Sequence, residues 1–208
     1  MLSGTMPGQY GRPAKAVFLT VDSAKVSGVA LSEPQLDARG AFRGAYDCEA
    51  FCEVSSQVGR EEWVREALEV ARGYRLPLVI VGEEWTPHGL SRSAYQSLNE
   101  SWGLWQAAIE RERKAADVVY VVRVAPQSWR AAVFGKRRPK ERKGLKRLAV
   151  LYAHKQLGTP LNLSDNIAEA LCLRVWAERA GEVHAVLAPK KPRASSLKKP
   201  RLVKDKAA

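Results

Sequence analysis

The sequence predicts an α/β domain, a mixed sheet with flanking helices, part antiparallel and part parallel. Two observations predict it. Three short runs come in close succession, and later apolar runs return only after long intervening segments, the spacing of hairpins followed by crossover units. The intervening segments repeat apolar residues at three-and-four spacing, the period of an amphipathic helix. The resulting order is βββαβαβαα.

Residues 1 to 13 are rich in glycine, proline and small polar residues and are expected to form a flexible leader, with the folded domain over 14 to 187. Runs 15 to 22 and 26 to 32 flank Ser23-Ala24-Lys25 at hairpin spacing, and a third run, 42 to 55, follows a loop with Pro34 and Gly40. A helix is expected from 60, where Val64, Ala67, Leu68 and Ala71 share one face and Gly73 stops it. Run 76 to 82 is almost wholly apolar, as in a central strand covered on both faces, and Glu83 closes it.

After Pro87 and Gly89, a helix of about 90 to 115 carries Tyr95, Leu98, Trp102, Trp105 and Ile109 on one stripe. Two tryptophans on a stripe are either core or a dimer interface. Gly103 within this helix costs about 1 kcal/mol relative to alanine, which suggests close packing there. Residues 118 to 124 predict a fifth strand, and Pro126 opens a short helix to Phe134. A helix over 143 to 157 ends at Gly158, another spans Leu163 to Ala180, and 182 to 187 reads as strand-like. Residues 188 to 208 are expected to be a basic flexible tail.

The formal charge of +12 is concentrated in two places. Residues 136 to 147 carry eight Lys/Arg against one Glu, and 186 to 208 carry eight against Asp205, which leaves the remainder slightly acidic. Such segments favour a polyanion, most commonly nucleic acid. Cys48, Cys52 and Cys172 are few and odd in number, against a disulfide framework, and no second Cys/His pair supports zinc. No apolar run approaches the roughly 20 residues of a membrane span, so a soluble intracellular protein with no membrane partner is expected. The motifs PKKPR and KKPR in the tail also leave nuclear import open.

Four carboxylates stand out in this basic chain. Asp22 closes the first apolar run, Glu83 closes run 76 to 82, and Asp165 and Glu169 open the last long helix. Strand ends deliver side chains to one rim of an α/β sheet, and a helix can bring a second pair to the same point. Carboxylates converging in this way repel one another unless a divalent cation lies between them. With oxygen ligands and no His/Cys cluster, Mg²⁺ or Mn²⁺ is the expected ion. Each acid has an ordinary reading too. Asp22 suits a turn, and Asp165 suits the first turn of a helix capped by Asn162 or Ser164. Glu169, among Ile167, Ala168, Ala170 and Leu171, needs a cation or a basic partner if it is buried. Glu83 is expected to point inward and Glu84 to point away.

The segments VDSAKVSGVAL, VIVGEEW, VAPQSWRAAVFG and LSDNIAEALCL, in that order and spacing, resemble the RuvC group of Holliday junction resolvases in the ribonuclease H-like superfamily. The resemblance covers about 15 to 180. It implies a ribonuclease H-like mixed sheet and a structure-selective endodeoxyribonuclease that acts as a homodimer on four-way or branched DNA. In it Asp22, Glu83, Asp165 and Glu169 hold two Mg²⁺, with Mn²⁺ as a substitute, and cleavage leaves 5′-phosphate and 3′-hydroxyl ends. Small basic members of the group are encoded by phages, which implies the cytoplasm of a bacterium or phage-infected cell. The chain departs from the group with Asp22-Ser23-Ala24 where Asp-Pro-Gly is common, and with Glu169 where Asp is usual. Asn166 also falls at a possible ligand position, so the third acid is either Asp165 or its neighbour's place.

Within this reading Lys146 is the candidate for transition-state charge neutralisation, or alternatively for phosphate positioning. Lys136, Arg137, Arg138, Lys140, Arg142, Lys143 and Arg147 are the candidate DNA contacts. Trp85 either stacks on an unpaired base at a branch point or packs. His88 and His154 assist proton transfer or are structural. The dimer is expected to use the helix carrying Trp102 and Trp105. Two other readings stay open: a nuclease of the same superfamily acting on RNA·DNA hybrid or flaps, and a branched-DNA-binding protein without catalysis.

Overall fold

The structure is a computed structural model that describes residues 15–88, 90–135 and 138–187. Five strands form one mixed sheet: β1 (Val17–Asp22), β2 (Ser27–Leu36), β3 (Phe42–Val54), β4 (Leu78–Glu83) and β5 (Val119–Val124), in spatial order β3-β2-β1-β4-β5. The first three are antiparallel, and β1, β4 and β5 run parallel. Helices α1 (Gln57–Tyr74) and α2 (Arg92–Glu112) supply the two crossovers. Then follow α3 (Pro126–Phe134), α4 (Arg142–Leu157), α5 (Asp165–Ala177) and α6 (Gly181–Leu187).

Alternation along the strands builds two cores. Val17, Leu19 and Val21 of β1 join Leu78 and Ile80 of β4 against α1 and α2. Phe18 of β1 joins Val79, Val81 and Val124 against α3, α4 and α5 on the opposite face. Because side chains point to opposite faces at successive residues, Asp22 shares the face of Phe18, and Glu83 shares the face of Val79 and Val81. The parallel register pairs Val21 with Gly82, so the two acids end adjacent strands side by side beneath α5.

Two glycines set how closely helices approach the sheet. A Cβ on Gly28 would lie 2.0 Å from the Asn166 carbonyl oxygen, so the first turn of α5 rests directly on β2. A Cβ on Gly82 would lie 2.3 Å from the Trp102 ring, so α2 rests equally closely on β4.

Two expectations need correction, and one open alternative is decided. Residues 182 to 187 are helical, not strand-like. So short an apolar run fits either period, and the Val183 amide bonds the Ala180 carbonyl at 3.1 Å, which carries the helical path on from α5. Trp102 and Trp105 are core residues rather than an interface: both are buried, and the Trp105 indole N–H donates to Ser27 Oγ at 3.1 Å. Gly103 is not explained by close packing, since a Cβ there would meet nothing within 4 Å. The leader over 1 to 13, the tail over 188 to 208, Lys136 and Arg137 lie outside the described residues.

Candidate functional site

Helix α5 is placed by its own sequence. Ser164 caps it by accepting from the Ile167 amide at 3.3 Å, and Thr20 Oγ1 on β1 donates to the Ala170 carbonyl at 2.9 Å. That anchor lays Glu169 over the ends of β1 and β4. Asp22, Glu83 and Glu169 are 6%, 1% and 5% exposed. Three carboxylates from three separate elements are therefore buried together.

Helix α3 supplies their partners. The Trp129 indole N–H donates to Glu83 Oε1 at 2.8 Å. Arg130 Nη2 reaches Glu83 Oε1 at 3.3 Å and Glu169 Oε1 at 2.6 Å, with its guanidinium 5.0 Å from the Trp129 ring centre. From the other face, Arg123 donates to the Glu83 carbonyl at 2.9 Å and lies over Trp102, the ring that fills the space beside Gly82. Ser101 of α2 donates to the Ala24 carbonyl at 2.6 Å and ties down the turn after Asp22.

One guanidinium does not balance three buried carboxylates. Burial first, then the charges of Glu83 and Glu169, hold Asp22 well above the usual carboxylate range, with Arg130 and Lys146 pulling the other way. Burial raises Glu83 to about 7, opposed by Arg130 and assisted by Glu169. Glu83 Oε2 is buried with no N–H donor, and the Asp22 carboxyl lies within hydrogen-bonding reach of the Glu83 carboxyl.

The group opens into a cleft of about 390 Å³. Asp22, Arg130, Asn166 and Glu169 line its floor, Trp85, Leu90 and Leu98 one wall, and Lys25, Lys140, Arg142 and Lys146 its basic rim. Asp165 stands apart from the buried three: its side chain is 47% exposed and takes Lys146 Nζ at 3.1 Å. The Asn166 amide is committed to the Val26 carbonyl and to Glu53, both at 3.0 Å. Glu84 is exposed, whereas Glu83 is buried. Lys143 and Arg147 are exposed on α4, and Arg138 donates to the Gly135 carbonyl at 3.2 Å. His88 is exposed, and His154 is tied through Nδ1 to the Thr159 carbonyl at 2.6 Å.

Sequence reasoning missed Arg130, Trp129, Arg123 and Lys25. For Arg130 a signal exists, since it is the one charged residue in the helix PQSWRAAVF, and a lone charge on a packed helix needs a partner.

The chemistry of the donor set fits a hard divalent cation, with carboxylate oxygens and no thiol or imidazole among the buried three. The Glu83 oxygen without an N–H donor and the excess negative charge point the same way. The spacing is set for a guanidinium: among the described residues, no three Asp, Glu, His or Cys side chains are arranged to grip one ion as they stand.

This arrangement is a ribonuclease H-like fold carrying an acidic cleft at the ends of its central strands. No protein-family profile and no curated protein matches the sequence. Among solved structures, RuvC of T. thermophilus in complex with a Holliday junction substrate aligns at 14% identity, TM-score 0.50, over 83% of this chain and 96% of that one. A second Thermus thermophilus RuvC structure aligns at 19% identity and TM-score 0.45, over 77% and 95%. The yeast mitochondrial Holliday junction resolvase aligns at 8% identity and TM-score 0.36, over 78% and 77%. The first of these alignments shows that the chain has the fold of RuvC. Among the described residues no helix is long and apolar enough to cross a membrane.

Proposed function

We propose that this chain is a metal-dependent endodeoxyribonuclease that resolves four-way or branched DNA junctions, leaving 5′-phosphate and 3′-hydroxyl ends. The observation that carries the reading is the burial of Asp22, Glu83 and Glu169 together, with Asp22 and Glu169 lining a cleft rimmed by lysine and arginine. Excess buried negative charge is costly unless a cation compensates it, and a basic rim above it draws in a phosphodiester. Asp22, Glu83 and Glu169 would hold Mg²⁺ or Mn²⁺, two ions per site. Asp165, half exposed at the start of α5, would join them only by giving up Lys146. When bound, the ions supply an activated water and charge stabilisation at the leaving oxygen.

The remaining steps belong to the chain's own side chains. Lys140, Arg142, Lys143 and Arg147 would hold the backbone of the entering strand in register. Lys146, released from Asp165, would neutralise charge growing on the scissile phosphate. Trp85, with a buried indole N–H that has no partner, would stack on a base unpaired at the branch. Paired cuts need two sites, so we propose a homodimer. The outer face of α2, where Leu104 is 43% exposed, is the surface of that helix open to a second copy.

The test is cleavage of a synthetic four-way junction with Mg²⁺, against matched duplex, flap and RNA·DNA hybrid. Junction-selective cutting is expected. Asp22→Asn is expected to lower cutting by about a hundredfold or more while junction binding in a gel-shift assay is kept. Wild-type protein that binds the junction and cuts nothing would reduce the proposal to a binding module.

A further inference from the structure

The position of Arg130 is unusual for a residue that only supports two carboxylates. A single nitrogen, Nη2, contacts Glu83 Oε1 and Glu169 Oε1, on two different elements. It therefore occupies the point between β4 and α5 where shared positive charge is most stabilising. Its reach is from the cleft side, since Arg130 lines the cleft. Its Nε is buried with no partner, and its contact with Trp129 is a ring face rather than a hydrogen bond. The guanidinium is thus held mainly by the two carboxylate oxygens. Those oxygens belong to the set proposed above to hold a divalent ion.

We propose that Arg130 is an exchangeable counter-ion: it neutralises Glu83 and Glu169 in the metal-free protein and must release Glu169 before a divalent cation binds there. Two cations cannot share Glu169 Oε1 at contact distance without strong mutual repulsion. Metal affinity is therefore set below what the carboxylates alone would give, because the ion displaces a charge-assisted hydrogen bond of 2.6 Å. The protein gains a site that stays folded and charge-compensated without metal. This inference rests on the metal-site reading above, and its test is a binding measurement that needs no cleavage.

Mn²⁺ affinity is measured by calorimetry at pH 8 on the full chain without DNA, for the wild type, R130Q, R130M and R130K. R130Q is expected to bind Mn²⁺ about tenfold more tightly than the wild type, the equivalent of about 1.4 kcal/mol, and Mn²⁺ should raise its melting temperature by more. R130M, which keeps an apolar stem against Trp129, should behave like R130Q and stands in for it if the glutamine variant does not fold. R130K keeps the positive charge and should stay near the wild type. Neutral variants that bind Mn²⁺ equally or more weakly than the wild type overturn the exchange and make Arg130 a support for the ligands. An R130K affinity as tight as that of R130Q also overturns it, because the effect would then come from loosened packing. If neither the wild type nor the neutral variants bind Mn²⁺, the metal-site reading itself falls, and the exchange with it.

Discussion

Gly28→Ala tests whether the seat of α5 on β2 holds the acidic group together. Gly28 pairs with Asp22 across the β1–β2 ladder, and above it lies the peptide joining Asn166 to Ile167. An added Cβ would meet the Asn166 oxygen at 2.0 Å, its carbonyl carbon at 2.2 Å and the Ile167 nitrogen at 2.6 Å, where ordinary contact begins at 3.4 Å. The helix start must lift by about 1.4 Å, because backbone in a packed interior has no rotamer through which to yield. Overpacking costs roughly 1–3 kcal/mol, and a clash with helix backbone belongs at the upper end. For a domain of this size, about 3 kcal/mol lowers the melting temperature by roughly 6–12 °C. Glu169 sits one turn further along the lifted end, and a displacement of about 1 Å at a reacting centre costs about a hundredfold in rate. Calorimetric melting and single-turnover junction cleavage read the two effects. An alanine variant that melts within about 2 °C of the wild type and cuts at full rate would show that α5 does not rest on Gly28 and that the placement of Glu169 has another cause.

Gly103→Ala should do the reverse. Nothing lies within 4 Å of a Cβ there, so the alanine should add about 0.5–1 kcal/mol to stability through helix propensity alone, seen as a higher urea midpoint with an unchanged slope. Asp117 accepts from Arg72 through both oxygens, at 2.9 and 2.7 Å, and these bonds lower its pKa from 3.8 to about 2. A carboxyl with a lowered folded-state pKa supports the fold fully above its unfolded value and loses that support as pH falls through its folded one. Wild-type stability should therefore decline between about pH 4 and pH 2 more steeply than that of Asp117→Asn, as followed by acid titration of the circular dichroism signal. Replacing Lys140, Arg142, Lys143 and Arg147 together with alanine should flatten the dependence of junction affinity on salt by about 0.9 in log–log slope for each lost phosphate contact. An unchanged slope would move the DNA path off α4.

The sheet was legible because its signals are local and periodic. Runs of alternating or continuous apolar residues located five strands, and Asp22 and Glu83 followed from position, since each closes such a run; the structure puts both on the face that α5 covers. The tryptophans of α2 were ambiguous for a reason that sequence cannot remove. A stripe reports that a helix has an apolar face, but not whether the sheet or a second copy covers it. Gly82 held the missing information, since a glycine ending an apolar strand leaves the gap that Trp102 fills, but the pairing spans 20 positions and has no local mark. Arg130 was illegible for the same reason. Its partners Glu83 and Glu169 lie 47 and 39 positions away, and only the packing of α3 beside α5 brings them together.

Asp165 shows the limit of a spacing argument along one helix. Residues four apart share a face, so Asp165 and Glu169 were expected to serve one cation or two neighbouring ones, yet they also differ by one turn in height, about 6 Å along the axis. The sheet decides which height matters. Thr20 bonds Ala170 and Gly28 touches Asn166, so the helix is seated on β1 and β2 to either side of Glu169, which is buried, while Asp165 stands at its first residue. There the side chain is half in solvent, and Lys146 is its partner. The three buried carboxylates, by contrast, are held in place against their own repulsion. The difference in burial therefore separates two roles that the same four-residue interval made look alike: Glu169 belongs to the charge-compensated floor, and Asp165 governs where the rim lysine stands.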